Sequence, residues 1–69
     1  MVRSRRSWGH MSDYEIRLFK ADGTLSIVMI VVAINSENAA QQAFPMLEDG
    51  IVKAEIWSGL DLVEVVVPI

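Results

Sequence analysis

The chain has 69 residues, no cysteine and a formal charge of −3 at neutral pH. A length of this order allows one domain, which buries about 60% of the surface its unfolded form exposes, and the absence of cysteine excludes a disulfide framework and thiolate metal sites. Arg3, Arg5 and Arg6 lie in the first six residues, so the stretch 11–69 carries Arg17, Lys20 and Lys53 against nine acids, a net charge near −6 that repels nucleic acid and anionic membrane.

Residues 1–10 show no period of 2 or 3.6 and are rich in charge and small side chains, which predicts a disordered basic tail followed by a single domain over 11–69. Gly9-His10-Met11 reads as a cloning junction, or Met11 as the true translational start of a gene read too long; either places the tail outside the fold. Arginine beside Trp8 is the minimal chemistry for stacking on single-stranded nucleic acid, yet three arginines release few counterions. The first apolar stretch begins only at Leu25, after Asp13, Glu15 and Asp22, which argues against an export signal. With no cysteine, the expectation is a cytoplasmic protein.

Over 13–20 the residues alternate, Tyr14, Ile16 and Leu18 on one face and Glu15, Arg17 and Phe19 on the other. This is the pattern of a half-buried strand. Ala21-Asp22-Gly23-Thr24 follows, and Asp-Gly between two strand-like runs signals a hairpin, because glycine takes positive φ at no steric cost. The run 25–34, Leu-Ser-Ile-Val-Met-Ile-Val-Val-Ala-Ile, has one polar member and no hydrophilic face in any regular structure. Ten residues are too few for a membrane helix, which needs about 20, and the β-branched content favours a strand. A strand covered on both sides is expected, either central in its own sheet or at an edge and paired with a second copy.

Asn35-Ser36-Glu37-Asn38 offers a capping oxygen and an acid for a helix N-terminus. A helix from about Glu37 would carry an apolar stripe of Ala39, Ala40, Ala43, Phe44 and Leu47, with Asn38, Gln41, Gln42 and Glu48 toward water, and stop at Gly50. Pro45 deletes the bond to the Gln41 carbonyl, so a kink or a short second turn is expected there. Two further strands, 51–58 and 60–67, meet at Ser58-Gly59. In the first, Val52, Ala54 and Ile56 oppose Lys53, Glu55 and Trp57; Pro68 ends the second by lacking a donor. The expected fold is α+β: a four-stranded, mostly antiparallel sheet with one helix on one face, in the order ββαββ.

Tyr14-Glu15-Ile16-Arg17, the Asp22-Gly23 turn, Ala39-Ala40 and Glu55-Ile56-Trp57-Ser58-Gly59-Leu60 resemble landmarks of small uncharacterised bacterial proteins of unknown function. The resemblance covers roughly residues 14–65. It implies a compact ββαββ domain and transfers no catalytic residue. Relatives of that kind carry basic residues in the helix where this chain has Gln41, Gln42 and Pro45, which weakens any anion-binding role for it.

The candidate site is the sheet face away from the helix, where alternation gathers Glu15, Arg17 and Phe19 with Lys53, Glu55 and Trp57. Aromatic side chains and arginine inside a charged rim have the composition of a protein interface. Trp57 and Phe19 would anchor a partner and the four charges would set its register; the plainer alternative is cross-strand ion pairing on a solvated sheet. His10 has no partner in sequence, the acid pairs Glu48/Asp49 and Asp61/Glu64 sit near turns, and no phosphate loop, metal-ligand spacing or dinucleotide fingerprint is present. The chain therefore reads as a non-enzymatic protein-interaction domain with no cofactor, no membrane segment and a homodimeric or other protein partner. The alternative is a small-ligand or nucleic-acid binding module using the same face; a regulatory pair with another protein is a third possibility.

Overall fold

The computed structural model describes residues 11–68, so the expectations for the basic segment 1–10, Trp8 and His10 included, lie outside the described residues. Strand β1 (Ser12–Lys20) and strand β2 (Leu25–Ala33) form the first hairpin. Helix α1 (Ser36–Ala43) and a 3-10 turn (Phe44–Met46) follow, then strand β3 (Ile51–Ser58) and strand β4 (Asp61–Val66). All neighbours pair antiparallel, in the spatial order β2-β1-β3-β4. The architecture is the expected ββαββ α+β fold.

Local chemistry explains the element ends. In the first turn the Asp22 carboxylate accepts from the Thr24 hydroxyl at 2.7 Å and from the Thr24 N–H at 3.0 Å, while Gly23 takes φ +88°. At the helix start Asn35 is extended and its Oδ1 accepts the Asn38 N–H at 2.7 Å. The α-helix ends at Ala43, earlier than the expected stop at Gly50, because Pro45 has no N–H to continue the ladder. The chain tightens into the 3-10 turn, the short second turn expected at Pro45. Gly50, with φ +89°, serves the reversal into β3, where the Ile51 N–H donates to the Glu48 carbonyl at 3.1 Å.

The core lies between α1 and the inner face of the sheet. Tyr14, Ile16 and Leu18 of β1, Ala54 and Ile56 of β3, Ala33 of β2, and Ala39 and Ala43 of α1 are buried. Four of these eight are alanines, which let the helix settle close to the sheet but contribute little apolar area. Only Ile16 and Ile56 are large and fully enclosed. Phe44, expected in the helical stripe, is half exposed instead: it begins the 3-10 turn, where the period tightens from 3.6 residues to 3.

The run 25–34 forms a strand at the sheet edge, one of the two placements its sequence left open, and the departure from expectation lies in its cover: within the strand only Ala33 is buried. Ile30 is 61% exposed, and Leu25, Ile27, Val28, Val32 and Ile34 are near half. The reason is topological: β1 pairs with both β2 and β3, so the alternating strand takes the centre and the uniformly apolar one is left outside.

Two outcomes check this account. Ile56→Ala removes one of the two large core side chains and is expected to cost about 2–5 kcal/mol, against about 1 kcal/mol for Asn35→Ala at the helix cap, both read from urea denaturation. Hydrogen bonds from the Thr24 hydroxyl and then the Thr24 N–H hold the Asp22 carboxyl below the ordinary aspartate range. A depressed folded value contributes stability that is present above the unfolded value and is lost as pH falls through the folded one. Thr24→Val should raise the Asp22 midpoint in an NMR titration toward the ordinary value.

Candidate functional site

The outer face of the sheet, opposite α1, is built from alternate residues of β1 and β3. Register places Glu15 opposite Trp57, Arg17 opposite Glu55 and Phe19 opposite Lys53. All six side chains singled out in the sequence therefore share one patch, and all are half-buried.

They form a continuous chain of contacts. Arg17 Nε donates to Glu15 Oε2, and the Arg17 guanidinium lies 4.3 Å from the Trp57 ring centroid. Trp57 Nε1 donates to Glu55 Oε1 at 3.0 Å. Glu55 pairs with Lys53 Nζ at 3.3 Å, and that ammonium sits 4.7 Å from the Phe19 ring centroid. The ion pairs run along each strand between residues i and i+2, not across strands, because each cation crosses to lie over the aromatic ring of the other strand. The patch holds two positive and two negative side chains, so its charge is balanced internally. A cation over an aromatic face contributes about 0.5–1 kcal/mol at an exposed site, and the stem of each long side chain adds apolar cover.

This arrangement changes which residues present free apolar surface. Arg17 and Lys53 each lid one aromatic ring, so Trp57 and Phe19 are less open than the sequence suggested. The uncovered aliphatic surface flanks them: Val28, Ile30 and Val32 pair opposite Arg17, Glu15 and Asp13 on the β2 side, and Val65 pairs opposite Glu55 on the β4 side. Val65 is half exposed. These flanking residues were not among the six candidates. For the three on β2 the signal was the lack of any hydrophilic face in the run 25–34.

The free edge of β2 has its own chemistry. Gln42 Nε2 donates to the Val32 carbonyl at 3.0 Å, and the Ile34 N–H donates to Asn38 Oδ1 at 3.3 Å. Asn38 and Gln42, expected to face water, instead lean from α1 onto the end of the strand. At the other end of β2 the pairing with β1 is irregular, Leu18 opposing Ile27 and Phe19 opposing Leu25, so Ser26 is an extra residue. Beside that end, on the helix side, is an open groove of about 350 Å³ lined by Leu18, Ser26, Ile27, Met29, Met46, Glu48, Asp49 and Ile51.

Among the described residues no three His, Cys, Asp or Glu side chains are grouped to hold a metal ion. Glu48 and Asp49 lie on the rim of the groove, whereas Glu64 accepts from the Ser36 hydroxyl at 3.4 Å, so the two acid pairs are in different surroundings. No helix of the described residues is long and apolar enough to cross a membrane. No family model, curated protein or solved structure matches this chain.

The contact between Arg17 and Trp57 is open to a double-mutant cycle. Arg17→Met and Trp57→Leu, alone and together, are expected to show a favourable coupling of about 0.5–1 kcal/mol in urea denaturation. A coupling near zero would mean that the ring is covered by packing alone.

Proposed function

We propose that the chain is a small protein-interaction domain, without catalytic function, that associates first with copies of itself by burying the apolar surface of its sheet. The observation that carries this reading is the aliphatic row on β2: Val28, Ile30 and Val32 stand side by side at a sheet edge, each about half exposed or more, with no charged residue anywhere in the strand. Contiguous exposed apolar surface of this kind marks interaction sites. The thin, alanine-rich core supports the same reading, because a domain this small needs burial beyond its own to be robustly stable. The cysteine-free sequence is compatible with work in the reducing cytoplasm.

The belt of Glu15, Arg17, Phe19, Lys53, Glu55 and Trp57 serves orientation in this reading. Paired charges are costly to desolvate, so a partner docks where the aliphatic flank is and leaves the belt at its rim. The nucleic-acid alternative is less favoured: both aromatic faces that a base would stack on are already occupied by cations, and two carboxylates share the patch.

Sedimentation of the full chain from micromolar to millimolar concentration tests the proposal. The mass is expected to rise from one chain to two, and Ile30→Lys to raise the dissociation constant at least about tenfold while shifting the stability of the dilute monomer by no more than about 0.5 kcal/mol. A single-chain mass at every concentration would overturn it.

A further inference from the structure

We infer that the partner on this edge is β2 of a second copy, added antiparallel about a two-fold axis at Met29, so that two four-stranded sheets join into one of eight strands. The inference rests on the self-association reading above and specifies its geometry.

Backbone orientation supplies the first part. Along an antiparallel strand the N–H and C=O pair of each residue points alternately to one side and the other. The Val32 carbonyl and the Ile34 N–H are both taken by α1 side chains, not by β1, so even-numbered residues of β2 point away from β1. The same alternation turns the N–H and C=O of Val28 and Ile30 toward the open edge. Val32 is capped by Gln42, and Ser26 lies in the irregularity opposite Phe19. Val28 and Ile30 are thus the regular, uncapped stretch. Pairing about Met29 sets Val28 opposite Ile30 of the second copy and Ile30 opposite its Val28, closing four hydrogen bonds without disturbing Gln42. A register shifted by two residues must displace the Gln42 cap or recruit the irregular Ser26.

Charge identifies the occupant. Every other strand carries acids: Asp13 and Glu15 on β1, Glu55 on β3, Asp61 and Glu64 on β4. Two copies of so acidic a body can approach without like charges meeting only along β2, whose nine residues include none. Natural edges of this length are normally guarded by an inward charge, a lysine or a proline, and the middle of β2 has none of these. The perpendicular two-fold also keeps faces together. On the outer face it sets Val28 and Ile30 against their counterparts in a seam of four aliphatic side chains. On the inner face it brings Val31 of the second copy beside Ile27, at the mouth of the groove lined by Ile27, Met29 and Met46. A strand edge alone is narrow against the roughly 800 Å² per partner of a standard interface, and this groove lies where further area is needed.

Amide hydrogen exchange of the full chain by NMR, below and above the concentration at which its mass doubles, tests the geometry. The Val28 and Ile30 amides are expected to slow by about 100-fold on association, and Val28→Pro, which removes an edge-facing N–H and a side chain of the seam but no bond to β1, to remain folded by circular dichroism but monomeric. If the mass doubles while these two amides exchange as in the dilute chain, the copies meet through another surface; the edge inference then fails and the self-association reading stands. A chain that stays monomeric overturns both.

Discussion

A helix of eight residues, about 12 Å long, must cover one face of a four-stranded sheet about 19 Å wide, and that shortage of cover governs the rest of the molecule. The helix shields the part of the inner face where Ile16 and Ile56 are enclosed, and its side chains reach the end of β2 and Glu64 of β4, but it stops short of the Leu18 end of the sheet, where the groove lies open. Pro45 enforces the limit by ending the α-helix at Ala43, and the groove is lined by Met46 and Ile51 and by no residue of α1.

The outer face has no second layer and meets the same need with its own side chains. Arg17 and Lys53 fold across the strand boundary to lie over Trp57 and Phe19, and each is held there by a carboxylate two residues away in its own strand. Solvation of the charged ends is retained while the aromatic faces lose much of their contact with water. This works only for the two central strands, because it needs charged and aromatic residues at opposed positions. Strand β2 has neither, so its aliphatic side chains remain open.

The caps on β2 show how the chain manages that exposed edge. Gln42 and Asn38 satisfy backbone groups that would otherwise template another strand, but only at the end nearest α1. The geometry of one connection explains the partial guard: Ala33 leads into α1 within three residues, so the helix, through Asn38 in its first turn and Gln42 in its last, meets the strand only at that end. An edge blocked at one end, irregular at the other and open between them favours one pairing register over its neighbours, which is how edge strands are made specific.

Much of this was legible in the residues. Alternation in β1 and β3 identified the strands and both of their faces, since the period of 2 depends only on local backbone geometry; Asp22-Gly23 marked the hairpin and the segment Asn35-Ser36-Glu37-Asn38 the helix start, because both act through bonds to residues close in sequence. The six residues of the outer patch were named from the same alternation. What the residues did not decide was which strand stood where. The apolar run 25–34 reads as buried whether the cover comes from its own chain or from another, and only the sheet order β2-β1-β3-β4 left it at an edge. Nor did the sequence reveal that Arg17 and Lys53 reach across to aromatic rings, or that Gln42 turns from water to the Val32 carbonyl. Those contacts join residues far apart in the chain, so only tertiary structure, by fixing register and helix placement, determines them.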